Sequence, residues 1–366
     1  MVVTTSDNVS GASTTWEVSE PSIAKVDFAG CREYGFLMSV AVPFPAVLPA
    51  GYEYLADEPA FDPEDHLALE APSDVLMLSD LGYGAADIEG KATAMAVSAP
   101  FRVLSDSGTD VMLDVARRLR SFAKPAGARI ENVVRGGCYR SRWLRDLCIS
   151  PELTEHLASI FGVDVAPHAM PLHLGHLNYE PSKAEVAVDK WHHDTLPLDF
   201  VLMVTDPAAT VGGRFEYFNG TKDEAADLAA NGEVPPRDRV VAPQIPGAGY
   251  AVALHGDMVV HRAAPLTELS ERITMVNGYV ATDPSVEGQS RSQDLIVIDD
   301  HEVLWAEWAK FAAWRSRERL GRLIEDLAFT PDRDAVVRQL EAAIADAQTA
   351  VAEMRAGEKE AAHYGG

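Results

Sequence analysis

The chain has 366 residues, 47% of them hydrophobic, with a formal net charge of −25, which is length enough for one elaborated domain and a sizeable core. A surface this acidic repels a phosphate backbone and shows no compensating basic run, so nucleic acid is not an expected substrate. No run of about 18 apolar residues is present to span a bilayer, and a membrane-embedded protein is not expected either.

The opening segment, MVVTTSDNVSGASTTWEV, lacks the basic start and apolar stretch of an export signal, which makes the cytoplasm the expected compartment. Residues 1–95 mix Pro, Gly and Asp with short apolar pieces such as GFLMSVAV and DVLMLSDL, read as short strands or irregular packing segments. A first helix is expected after Ser107/Thr109, with Val111, Val115, Leu119 and Phe122 at helical spacing and Pro125 closing it. A second has Ser150 as N-cap, Pro151 at its first position, Glu152 near its positive end and Gly162 as its stop. Cys31, Cys138 and Cys148 are odd in number and lack C-x-x-C spacing, so three reduced thiols are expected.

From about residue 170 to 282 the chain becomes a series of short strand-like pieces, LHLGHLNYE, AEVAVDK, DFVLMVT, GRFEYF, GYAVAL, MVVHRAA and RITMVNGYVA. Turn-rich segments separate them, among them NGTKDEAADLAANGEVPPRD, a loop that could act as a lid. Such a run of strands suggests a sandwich or jelly roll. Beyond about residue 300 the pattern is helical, and Val337, Leu340, Ile344, Ala347, Val351 and Met354 form one apolar stripe. That stripe packs on its own subunit or forms a homodimer contact through the C-terminal helices. The divisions expected are a mixed segment with buttressing helices at 1–165, a β core at 166–285 and a helical segment at 286–366, together one unit.

The chemistry concentrates in KWHHDT. On a strand His192 and Asp194 project to one face and His193 to the other, unless a bulge breaks the alternation. An H-x-D pair offers one imidazole and one carboxylate to an ion; His261, in GDMVVHRAAPL, is the expected third ligand, preferred over His255, which precedes a Gly-Asp turn. Two histidines and a carboxylate on one face of an octahedral ion form the facial triad of non-haem Fe(II) oxygenases. Arg272, eleven residues after His261, would lie on the next strand, where it could pair with a carboxylate of a cosubstrate or merely with Glu268 or Glu271.

The order His192-x-Asp194, His261, Arg272 resembles the signature of the Fe(II)/2-oxoglutarate-dependent oxygenase superfamily. The WHHD context is similar to the W-H-x-D of its phytanoyl-CoA hydroxylase-like branch, and VGGRFEYF resembles the glycine-led strand between its two metal-binding strands. The resemblance covers residues 170–282 and implies a mainly β fold with flanking helices, built on a double-stranded β-helix (jelly roll, cupin-like) core. It implies that His192, Asp194 and His261 hold Fe(II), that Arg272 binds the distal carboxylate of 2-oxoglutarate, and that O₂ and the cosubstrate are consumed with release of succinate and CO₂. A small-molecule substrate, such as an amino acid or natural-product intermediate, would be hydroxylated. Halogenases of this superfamily replace the carboxylate ligand with Ala or Gly, and Asp194 argues against that outcome.

Asn178 and Thr274 are candidate hydrogen-bond donors to the cosubstrate. Arg214 and Tyr217 are candidate substrate contacts, with a solvated face and packing as their respective alternatives; packing is also the reading for Trp191. His156, His168, His173 and His176 are expected to be surface or core residues, and His301 and His363 to fall outside the β core. A jelly-roll hydrolase or isomerase using the same His/Asp/His site with zinc or manganese is the main alternative, and it has no need of Arg272. A noncatalytic scaffold is the other.

Overall fold

The computed structural model describes residues 42–357 apart from 289, 293, 294 and 297. Cys31, His363 and nearly all of GFLMSVAV lie outside the described residues. The helices are α1 (Pro63–His66), α2 (Ala85–Ile88), α3 (Asp106–Leu119), α4 (Arg142–Cys148), α5 (Pro151–Phe161), α6 (Lys222–Ala230), α7 (His301–Asp326) and α8 (Arg333–Ala356). Before the central core come the strands β1 (Val75–Met77), β2 (Met95–Ser98), β3 (Phe101–Arg102), β4 (Lys124–Ala126), β5 (Ile130–Val134) and β6 (Val165–Pro167). Eight more build that core: β7 (His176–Tyr179), β8 (Ala187–His192), β9 (Leu198–Met203), β10 (Phe215–Phe218), β11 (Val240–Val241), β12 (Tyr250–Leu254), β13 (His261–Pro265) and β14 (Ile273–Ala281).

Those eight strands divide between two sheets. In the large sheet β12, β9, β14 and β7 are neighbours in that order, and in the small one the order is β11-β10-β13-β8. Apart from the consecutive pair β10 and β11, the chain therefore crosses from one sheet to the other at each step, and every pairing is antiparallel. This is the double-stranded β-helix expected. The remaining strands extend the large sheet at its two edges.

Burial explains the apolar texture of the central strands. Leu198, Phe200 and Leu202 of β9 pack with Leu119, Trp143, Leu144, Leu153 and Leu157 of α3 to α5, so the outer face of the large sheet is covered by helices. The alternate residues Val201 and Met203 meet Phe215 and Tyr217 of the small sheet. With both faces buried the strand reads as a continuous hydrophobic run, and each large side chain sequestered this way contributes about 1.5–3 kcal/mol. Asp199, on the inward face of that run, is the polar exception and is fully buried.

Local signals hold where capping chemistry is explicit. Ser150 accepts from Leu153 N, Pro151 occupies the first turn, and Gly162 closes α5 in the left-handed region. Helix α3 begins earlier than its sequence suggests, because Ser105 supplies the cap by accepting from Gly108 N. Its buried face is Met112, Val115, Ala116 and Leu119, whereas Phe122 follows in a short 3-10 turn and is largely exposed. The segment read as a lid loop contains α6, started by a Thr221/Glu224 capping box and seated through Ala225 on Trp191, Phe218 and Val260.

The C-terminal stripe divides. Helix α8 buries the small residues Ala343 and Ala350, while Val337, Leu340 and Val351 are exposed. Helix α7 sends Val303, Leu304, Trp308 and Phe311 against Tyr139, Met170 and Leu172. No helix among the described residues is long and apolar enough to cross a membrane.

Candidate metal centre

Strand β8 lies at the edge of the small sheet beside β13, and their register sets His192 directly opposite His261. The pairing then slips: Ala263 faces Asp189, so two steps on β13 correspond to three on β8. This bulge at Lys190-Trp191 turns both Asp189 and His192 to the cavity, although strict alternation would separate residues three apart. Asp194 lies just past the end of β8, where its backbone N–H donates to Gly256 O at 2.8 Å and holds the carboxyl beside the imidazoles.

The donor atoms of His192, Asp194 and His261 all lie within 4.8 Å of one another. His192 Nε2 is 3.5 Å from Asp194 Oδ1, and His261 Nε2 is 3.4 Å from Oδ2. Each imidazole is oriented from behind, since His192 Nδ1 meets Lys190 O at 2.6 Å and His261 Nδ1 meets Val259 O at 3.0 Å. A backbone carbonyl can only accept, so both protons sit on Nδ1 and both Nε2 lone pairs face the carboxylate. Burial and the neighbouring His192 push His261 down to about 3, which keeps that ring neutral. The Asp194 carboxyl is held well below the usual carboxylate range despite the opposing effect of burial, with Arg129 among the groups that lower it. Two neutral nitrogens and one carboxylate oxygen, each backed by protein, are a donor set fit for a divalent transition metal.

Asp199 stands behind this carboxylate. It is fully buried, with no donor to either carboxyl oxygen among the described residues. Burial and the charge of Asp194 push its carboxyl well above the ordinary value.

The cavity over the triad is lined by both sheets. Asn178, Thr274, Val276 and Val201 come from the large one, and Asp189, Phe215 and Ala263 from the small one. Arg272 lines it too, buried to 4% exposure, donating from Nε to Gly213 O at 2.9 Å and from Nη1 to Thr274 Oγ1 at 3.1 Å. Burial lowers its pKa to about 10, opposed by Asp189 and Glu180, so it stays protonated at neutral pH. Glu271 pairs with Arg117 and not with Arg272. Asn178 and Thr274 are cross-strand partners, and Asn178 Oδ1 has no protein partner among the described residues.

Of the eight site residues expected from the sequence, six converge here: His192, Asp194, His261, Arg272, Thr274 and Asn178. Arg214 does not, because the alternation of β10 sends Phe215 inward and leaves Arg214 exposed. Tyr217 lies across from His261 but is buried in the inter-sheet core outside the cavity lining. His193 approaches Asp257 at 3.8 Å, away from the triad. His255 is fully buried and pushed down to about 4 by burial, and it is not part of the donor cluster.

Sequence reasoning missed four polar residues of the lining: Arg129, Asp189, His176 and Arg262. Arg129 pairs with Asp189 at 3.0 Å. The even spacing of His176 and Asn178 on one strand was the available signal for His176; for Asp189 the bulge removed it.

No protein-family model and no curated protein matches this chain. Among solved structures it is similar to the non-heme alpha ketoglutarate dependent carbocyclase SnoK from nogalamycin biosynthesis, at 18% identity and TM-score 0.40 over 58% of this chain and 88% of that one. It is also similar to EctD from S. alaskensis with bound Fe, at 14% identity and TM-score 0.39 over 68% and 89%. The epimerase SnoN from nogalamycin biosynthesis matches at 18% identity and TM-score 0.35 over 48% and 74%. Superpositions this loose leave the site to stand on its own geometry.

Proposed function

We propose that this chain is an Fe(II)- and 2-oxoglutarate-dependent oxygenase that hydroxylates a C–H bond of a small molecule. The observation that carries the reading is the sharing of one cavity by the His192/Asp194/His261 cluster and the buried, protonated Arg272. Three protein ligands leave half of an octahedral shell open, and a buried arginine in the same cavity suits a cosubstrate that is chelating at one end and anionic at the other. When bound, Fe(II) with 2-oxoglutarate and O₂ supplies the oxidising equivalent, the cosubstrate leaving as succinate and CO₂.

The chain's own residues prepare the site. The carbonyls of Lys190 and Val259 fix both imidazoles as ligands. Gly213 O and Thr274 hold the guanidinium of Arg272 in place. Phe215, Val201, Val276 and Ala263 give the wall an apolar part that limits water around the reacting atoms. The presence of a carboxylate at Asp194 supports hydroxylation over halogenation.

The test is an anaerobic titration of Fe(II)-loaded protein with 2-oxoglutarate, following the weak visible metal-to-ligand charge-transfer band. The wild type should develop the band, His261→Ala should lose it, and Arg272→Leu should need far more cosubstrate. Absence of the band in wild type with iron bound overturns the reading in favour of a metal hydrolase.

A further inference from the structure

His176 lines the metal cavity from β7, on the same face as Asn178 and opposite Val276 of β14. Behind it, Arg135 Nη1 lies 3.4 Å from His176 Nδ1. That guanidinium is clamped by Asp299 through two hydrogen bonds of 2.8 Å, and Asp299 is itself buried. Burial works against the charge on Arg135, but Asp299 outweighs it and keeps the group protonated. A guanidinium has five donors and no acceptor, so the nitrogen facing it must be the bare one. The proton of the neutral His176 ring therefore sits on Nε2, the reverse of the arrangement in His192 and His261. No described residue accepts from that Nε2.

We infer that His176 is a substrate-recognising residue whose Nε2–H donates a hydrogen bond to an oxygen acceptor on the primary substrate, with its tautomer set by the Arg135–Asp299 pair. This rests on the oxygenase reading of the site. The donor is assigned to the substrate and not to the cosubstrate because of its place on the strands. Arg272, Thr274 and Asn178 cluster at one end of β14 and β7, and His176 lies two pairs further along on the same face, opposite Val276. The Asp299 carboxylate neutralises Arg135, so the subsite has no net charge to attract an anion. A hydroxyl, ether or carbonyl oxygen fits it. An ammonium group, which has only donors, would be set against an N–H and is rejected.

The experiment uses full-length protein with isotope-labelled histidine, loaded with diamagnetic Zn(II) and 2-oxoglutarate, and reads each tautomer from its ring nitrogen shifts. His176 is expected with its proton on Nε2, and a ring protonated on Nδ1 or on both nitrogens overturns the proposal. The second arm titrates Fe(II)-loaded His176→Leu with 2-oxoglutarate. Binding within about twofold of wild type is expected; a loss as large as that of Arg272→Leu would assign the donor to the cosubstrate and sink this proposal while leaving the oxygenase reading intact. Failure of the wild type to bind 2-oxoglutarate would instead remove the reading itself. The third arm screens alcohol and amine pairs sharing one carbon skeleton for stimulation of succinate release. Stimulating alcohols should lose about tenfold in kcat/KM in His176→Leu and recover in His176→Gln, whose amide keeps a donor. An amine that stimulates as well as its alcohol overturns the assignment.

Discussion

His192 and His261 stand opposite each other across β8 and β13, their ring centroids 4.3 Å apart and their planes tilted by 58°, although 68 residues separate them in the chain. Two neutral imidazoles and a buried carboxylate held that close form a site in the folded chain that the unfolded chain lacks. Binding energy then appears as stability. Fe(II) under anaerobic conditions, at a hundredfold excess over its dissociation constant, should stabilise the protein by about 2.7 kcal/mol. Thermal unfolding with and without metal measures it, and Asp194→Ala should show no shift.

The Asp189 carboxylate tunes the anion end of the cavity. It is paired with Arg129, and its charge also acts on Arg272. Replacing it with asparagine removes a repulsion felt by any anionic ligand there, so Asp189→Asn should tighten 2-oxoglutarate several-fold. Arg129→Gln, which leaves Asp189 uncompensated, should weaken it. Equilibrium titration of both variants decides, and a change of the same sign in both would contradict this account.

Gly256 is where backbone and site meet most closely. A Cβ there would fall 2.3 Å from Asp199 Oδ2, 2.6 Å from Leu196 O and 3.1 Å from Asp194 Cβ. Gly256→Ala must displace the loop that supports Asp194, and should cost about 1–3 kcal/mol together with a loss of metal affinity. Gly247, with open space around its Cβ position, is the control and should tolerate alanine. Urea denaturation of the two variants measures the difference.

The pH dependence of stability should carry the mark of Glu307. Burial pushes this carboxyl up to about 8, partly offset by hydrogen bonds from Tyr139 and Leu172 N. Between its ordinary value of 4.5 and about 8 the folded chain holds a proton that the unfolded chain has released, so stability falls as pH rises through that window. The contribution has a slope of up to about 1.4 kcal/mol per pH unit. Glu307→Gln keeps a neutral acceptor and removes the titration. Its unfolding free energy should lose that downward slope relative to wild type, and parallel pH profiles would contradict this.

How much was legible in the sequence depended on how local each signal was. The alternating pieces from LHLGHLNYE to RITMVNGYVA are strands, because a half-buried pleated surface imposes its period on the chain. Ser150, Pro151 and Gly162 mark α5 because each meets a requirement of a helix end. The register of the sheets is not local. The bulge at Lys190-Trp191 that turns Asp189 inward, the exposure of Arg214 and the burial of Asp199 all depend on which strands pair. Helix α6 is hidden because NGTK and VPPRD read as turns, and its capping box begins inside the first of them, at Thr221. In α8 the bulky stripe drew attention, yet the hairpin closes on Ala343 and Ala350, whose small side chains permit close approach.

The crossing of the chain between sheets also sets an order of events during synthesis. His192 and Asp194 leave the ribosome well before His261. Among the described residues strand β8 finds its only partner in β13, and β9 is flanked by β12 and β14, so neither sheet can close until nearly all of the core has been made. Long-range pairings of this kind fold slowly. A nascent chain therefore offers two isolated ligands for much of its production, and the cell's metal pool meets a complete site only at the end.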